Sequence, residues 1–233
     1  MTNTSLEHCL SFINSHTQPA GGTGGFAPAG ARRAVTISRQ AGCGALVVAD
    51  KLARFLQEHS PRHPAPWTVF DRNLMDKVLE EHNLPVYLAK FLPEDRISEL
   101  EDMMVEIFAV HPPARKVVQQ TAETILKLAD LGNVILIGRA GNVITARLPH
   151  VLHIRLVAPL EERVKHAREA YNMTGAQARK FCVNEDLGRE RYLKKYFKAS
   201  ISDPLLYHLT VNTGLVGYDE AARIIGHAAL NLD

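Results

Sequence analysis

AVTISRQAGCGALVVADKLARFL, residues 34–56, joins an apolar run to a glycine-bearing turn and a stretch of helical period. Ala34–Ser38 reads as a strand and Ala45 to about Glu58 as a helix, with Gly42 and Gly44 in the turn between them. A phosphate-binding loop is built this way, because backbone N–H groups converge on an anion at a helix N-terminus. Its usual pattern is G-x-x-x-x-G-K-[ST], in which lysine reaches the outer phosphates and the hydroxyl holds Mg²⁺. Here Arg39 stands at the first glycine, Ala45 at the lysine, and Leu46 and Val47 in the hydroxyl region. Two readings follow from these residues. The turn is an anion cradle with Arg39 supplying charge, or a tight strand-to-helix turn whose Arg39 pairs with a local carboxylate. Cys43 reads as a small loop filler, since no base or resolving cysteine lies near it in sequence.

Further apolar runs lie downstream. Trp67–Phe70, Asn133–Ile137, Val151–Val157 and Tyr207–Asn212 read as strands, most of them continuously apolar. That pattern suits a parallel sheet covered on both faces. Helical patterns separate them: about Arg72 to Glu81, a run from Ile97, Ala114–Asp130, and a run from Pro159, expected in the first turn. GAQARKFCVNEDLGRERYLKKYFK and YDEAARIIGHAAL complete the series, Asp219 serving as an early cap or first-turn acid. The alternation predicts one α/β domain over 33–233, preceded by a flexible Gly/Pro/Ala-rich segment over 1–32. A helical region over about 84–130 is expected to lie over the sheet.

Bulk composition excludes several classes. The chain has 233 residues, 46 % hydrophobic and 22 % charged, enough to bury a proper core. A formal net charge of +2 does not call for nucleic acid. The three cysteines, Cys9, Cys43 and Cys182, are odd in number and show no metal or disulfide spacing. His82, His111, His150, His153 and His166 show none either, so no metal ligand set is expected; His153 is expected within a strand. Neither a secretory leader nor a membrane span is read, and the cytoplasm is the expected compartment.

Several stretches in order resemble the cytidylate kinase-like family of P-loop nucleoside-monophosphate kinases. They are VTISRQAGCG (35–44), FDRNLMDKV (70–78), VILIGRAGNVITARLPHVLHIRLVAPLEERVKHARE (134–169), NEDLGRERYLKKYF (184–197) and DPLLYHLTVNTGLVGYDEAARII (203–225). The resemblance implies a doubly wound, five-stranded parallel sheet of order 2-3-1-4-5, with a helical substrate region and a lid over about 171–200. It implies transfer of the γ-phosphoryl group of ATP, with Mg²⁺, to CMP or a related monophosphate. An alternative is a regulatory nucleotide-binding protein that keeps the kinase fold without turnover. The partner is a nucleotide or other phosphorylated small molecule. By the same resemblance, Gly42, Cys43, Gly44 and Ala45 form the phosphate loop. Arg139 matches an acceptor-phosphate arginine, Asp71 an acid near the acceptor, and Arg163 the arginine leading into the lid. Arg189 matches the lid arginine that approaches the phosphates, and Asp186 the lid aspartate. The family's Arg-Glu pair beyond the loop is absent, and Ala140 replaces the aspartate of its GRD stretch.

The residues themselves add to this. Arg139 follows a strand and a glycine, where open parallel sheets place ligands. From Arg189 to Lys198 there are five basic side chains and one acid, which reads as a phosphate-closing helix or a solvated face. Asp71 orients a substrate hydroxyl or caps the next helix. Asp203, before Pro204, reads as a turn residue, and Met103–Met104 as helix packing.

Overall fold

The computed structural model describes Phe12 and residues 33–60, 66–71, 92, 94–108 and 116–232. Apart from Phe12, the expected flexible segment over 1–32 lies outside the described residues, as do the helix over Arg72–Glu81 and Cys9, His82 and His111. Phe12 itself is fully buried, edge-on to Phe70 at 5.7 Å, so at that residue the expected flexibility does not hold.

Strand β1 (Ala34–Arg39) runs into the glycine loop and helix α1 (Ala45–His59). Strand β2 (Thr68–Phe70) follows, then helices α2 (Glu94–Phe108) and α3 (Lys116–Leu131) and strand β3 (Val134–Ile137). A short helix α4 (Gly141–Ile144) leads to strand β4 (Val151–Val157). Helices α5 (Leu160–Tyr171) and α6 (Gly175–Phe197) come next. A 3₁₀ turn (Pro204–Leu206), strand β5 (Leu209–Asn212) and helix α7 (Tyr218–Leu230) close the chain. The sheet order is β2-β3-β1-β4-β5, every pairing parallel. This is the order implied by the resemblance.

The sheet is buried on both faces, which is why its strands are apolar throughout. On one face α1 and α7 pack Val48, Leu52, Leu56 and Ile225 against Val35, Ile37 and Ile154. In α1 the buried positions Val48, Ala49, Leu52 and Leu56 form one stripe at helical spacing. On the other face α3 contributes Ile125, Leu126 and Ala129 beneath Leu136 and Val151. Met103 and Met104 pack against that same core.

Several element ends differ from expectation for local reasons. Asn133 leaves the strand because its φ is 53°; its N–H donates to the Arg33 carbonyl at 2.7 Å. Tyr207 closes the 3₁₀ turn, and pairing resumes at His208, whose N–H reaches the His153 carbonyl at 2.8 Å. Pro159 caps α5 with an extended ψ of 142° instead of entering its first turn. Asp219 lies in the first turn of α7, behind the cap Gly217. Asp203 is the turn residue expected, its carboxylate accepting from Leu205 N–H at 2.9 Å. Helix α6 starts from a complete capping box, Thr174 with Gln177, and runs 23 residues.

Candidate functional site

The glycine loop is held in shape by packing as well as by backbone preference. Gly42 (φ 81°) and Gly44 (φ 74°) occupy the left-handed region that side chains resist. A Cβ on Gly42 would strike the Arg163 carbonyl, and one on Gly44 would lie 2.5 Å from the Tyr218 ring. Cys43 points inward, its Sγ donating to the Gln40 carbonyl at 3.0 Å. Burial pushes its thiol up to about 11, against the opposing pull of Arg39, which disfavours the thiolate at neutral pH. The first ladder bond of α1 joins Val48 N–H to the Gly44 carbonyl at 3.0 Å. The N–H groups of Ala45, Leu46 and Val47 precede that ladder and present the positive end of the helix. They border a cavity of about 330 Å³, into which Asp71, Glu185, Arg39 and Arg189 also face.

Behind the loop is an arginine paired with a carboxylate. Arg163 of α5 donates to the carbonyls of Ala158 (3.0 Å) and Ala41 (3.1 Å) and to Asp186 Oδ2 (2.6 Å). The other oxygen of Asp186 accepts the Ala41 N–H at 2.6 Å. Arg163 and Asp186 thus tie α5 and α6 to the loop, and their polar atoms are used in doing so.

In front of the loop lies a second cavity, of about 280 Å³. Three consecutive left-handed residues after β3, Gly138 (φ 83°), Arg139 (φ 53°) and Ala140 (φ 61°), form one wall. For Arg139 and Ala140 this backbone is strained, a cost that clusters at ligand sites. Gly138 lacks a side chain because the Arg39 guanidinium sits where a Cβ would go. Arg189 of α6 forms another wall, its guanidinium 3.1 Å from Glu185 and 3.4 Å from Asp186. It also approaches the Arg39 carbonyl at 3.5 Å. Burial and the nearby Arg189 charge lower Arg39 to about 10, still protonated at neutral pH. Among the described residues Arg39 has no carboxylate at ion-pair distance; Asp71 and Glu185 act on it only through space.

The structure therefore brings Arg39, Arg139 and Arg189 around one cavity, and Gly42, Cys43, Gly44, Ala45 and Asp71 around its neighbour. The two cavities share Arg39, Glu185 and Arg189. Arg163 and Asp186 stand behind the loop. Sequence reasoning passed over Ser38 and Glu185, which line the cavities, and Arg155 behind Ser38. The signal was present for Arg155: His153 and Arg155 interrupt an apolar strand two residues apart, on one face. Among the described residues no group of three or more His, Cys, Asp or Glu side chains is placed to hold a metal. No described helix is long and apolar enough to cross a membrane.

Comparison with known proteins agrees with this architecture. The model of the cytidylate kinase-like family matches residues 34–215. A solved structure of an uncharacterized protein from Eubacterium ventriosum shares the fold, with TM-score 0.55 and 18 % identity, covering 85 % of this chain and 98 % of that one. A uronate isomerase of Corynebacterium glutamicum is 28 % identical over 110 residues, 47 % of this chain and 21 % of that enzyme. The chain spans about a fifth of that relative's length.

Proposed function

We propose that this chain, which belongs to the cytidylate kinase-like family, is a phosphotransferase that passes the γ-phosphoryl group of ATP to a nucleoside monophosphate or similar small acceptor. The observation that carries the reading is the pair of adjoining cavities that share Arg39, Glu185 and Arg189. One offers helix-terminal amides to a polyphosphate, and the other offers Arg139 to an acceptor phosphate. An acceptor oxygen attacks the γ-phosphorus as the bond to the ADP oxygen breaks. Such transfer needs alignment and charge stabilisation more than covalent chemistry. Arg39 and Arg189, placed between the cavities, take the place of the lysine that Ala45 lacks. Asp71 and Glu185 are carboxylates that line the loop cavity, and Mg²⁺ commonly binds through one or two carboxylates plus the phosphates. Bound there, the ion would neutralise phosphate charge. In this reading α6 serves as the lid, and Arg163 and Asp186 act by holding the loop.

A second reading, nucleotide binding without turnover, is favoured by one observation. Leu46, 51 % exposed, and Val47 present apolar side chains where a hydroxyl would hold the metal. An ADP-release assay over a panel of monophosphates, with calorimetry of ATP and CMP alongside, separates the two. Phosphotransfer predicts acceptor-dependent ADP release that falls by about 100-fold or more in Arg139→Ala. Unchanged turnover in that variant would sink the assignment. ATP binding with no acceptor phosphorylated would leave the second reading standing.

A further inference from the structure

One buried charge remains unexplained by that reading. Arg155 of β4 is only 9 % exposed. Its register partner across the parallel pairing is Ser38 of β1, and its Nη1 donates to Ser38 Oγ at 2.8 Å. Its guanidinium carbon lies 5.9 Å from the centre of the Tyr207 ring. Among the described residues no carboxylate stands at ion-pair distance from it. Burial pulls its affinity for the proton down, and Asp186 opposes this only through space. An arginine stays charged in proteins, and a buried charge is costly unless something pairs with it.

Ser38 connects this charge to the front cavity, which it lines at the C-terminal end of β1. Its hydrogen-bonding inventory is nearly closed. Arg155 only donates, so Ser38 Oγ accepts from it. Tyr207 Oη lies 3.0 Å from the Ile201 carbonyl, which only accepts, so the phenolic hydrogen is directed there. The Ser38–Tyr207 separation is a longer 3.3 Å. What remains to Ser38 is its own hydroxyl hydrogen; Tyr207 Oη at 3.3 Å can accept it, but a phosphoryl oxygen in the adjoining cavity, walled by Arg39, Arg139 and Arg189, is the stronger acceptor.

We infer that Ser38 is a ligand contact, donating its hydroxyl hydrogen to a phosphoryl oxygen in the front cavity, and that Arg155 is its positioning residue, whose uncompensated charge makes the site selective for a phosphomonoester dianion over a monoanion. The inference rests on the reading of this cavity as the acceptor site. It goes further in naming the ligand's charge state and two residues that the phosphate loop and Arg139 do not account for. No bond is made or broken by either residue.

The test is calorimetric, with the full-length chain. CMP and its monoanionic phosphate methyl ester are titrated into wild type, Ser38→Ala, Arg155→Met, Arg155→Lys and the double variant Ser38→Ala/Arg155→Met. Wild type is expected to prefer CMP over the methyl ester. Ser38→Ala should weaken CMP binding by about tenfold. Arg155→Met should weaken it as much or more and compress the preference for CMP, while Arg155→Lys restores part of that preference. The double variant should bind no worse than Arg155→Met alone, because one residue acts through the other. Melting temperatures identify any variant that has lost its fold; Arg155→Lys keeps the charge and so carries the test if Arg155→Met unfolds. A preference for CMP unchanged in folded Ser38→Ala and Arg155→Met, with binding lost in Arg139→Ala, overturns this inference and leaves the acceptor site standing. No CMP binding by wild type overturns both.

Discussion

Two arginine environments are separated by the thickness of one glycine loop, and they handle buried charge in opposite ways. Behind the loop, Arg163 is matched by a carboxylate at 2.6 Å and two carbonyls near 3 Å. In front, Arg155 is as deeply buried and Arg39 partly buried, yet among the described residues neither has a carboxylate at ion-pair distance. His153 shows a third solution on the same strand face as Arg155. Burial, and then the neighbouring His208, holds it down to about 4, so it is neutral at physiological pH. A buried cation either finds a partner or sheds its proton. Arginine cannot do the second. In the proposed reading, arginines without the first mark a place where the counter-charge arrives from outside the chain: Arg39 lines both cavities, and Arg155 reaches the front one through Ser38.

The largest expected effect tests the rear half of this contrast. Arg163→Met leaves Asp186 with its Ala41 N–H and the more distant Arg189, at 2.6 and 3.4 Å. Breaking a buried ion pair from one side costs about 3–5 kcal/mol, and the partial exposure of Asp186 points to the lower end. Urea unfolding should therefore show a loss of about 3 kcal/mol. A loss below about 1 kcal/mol would mean that the pair does not hold the loop and that rear and front are energetically alike.

Of similar size is the effect of the histidine. Unfolded, its imidazole takes a proton near 6.5; folded, near 4. The unfolded state binds more protons between those values, so this contribution to stability is complete above about pH 6.5 and is lost as pH falls toward 4. A shift of that size corresponds to roughly 3 kcal/mol across the window. Thr36 Oγ1, 2.9 Å from His153 Nδ1, and the His153 N–H donated to His208 Nδ1 at 2.9 Å both suit neutral rings. Stability against pH for His153→Gln, set beside wild type, isolates the effect from the carboxylates. Parallel curves between pH 4 and 6.5 would show that His153 does not follow the shed-the-proton rule.

The contrast also explains what was legible in the sequence. Both covered faces followed from the continuous apolar runs, which are local, whereas the strand order followed only from the resemblance of several stretches to one family. The loop's backbone was legible for the same reason, because Gly42 and Gly44 have left-handed angles that few other residues tolerate. The partners of the arginines were not legible. Arg163 and Asp186 are 23 residues apart and Arg155 and Ser38 are 117 apart, so only the folded sheet decides which arginine is paired. A paired and an unpaired arginine look alike in sequence. Arg163, which the resemblance makes the arginine leading into the lid, has its guanidinium bound to the loop's own carbonyl and to Asp186.

The smallest expected change in stability is the most telling. Arg39→Met replaces a guanidinium that has no carboxylate partner with an apolar chain of similar reach, beside Gly138, which has no Cβ to obstruct it. Removing an uncompensated buried charge relieves its desolvation cost and its repulsion by Arg189, so stability should stay within about 1 kcal/mol of wild type or rise. Binding should move the other way: a calorimetric titration with ATP should weaken by about tenfold or more, because a charge-assisted contact is lost. Arg163→Met should give the reverse signature, with stability lost first and binding weakened only as the loop loosens. If Arg39→Met destabilises the fold as much as Arg163→Met does, then Arg39 is a structural residue, and its position between the two cavities is no longer evidence for an anion there. If it leaves both stability and ATP binding unchanged, Arg189 alone is left to replace the loop lysine.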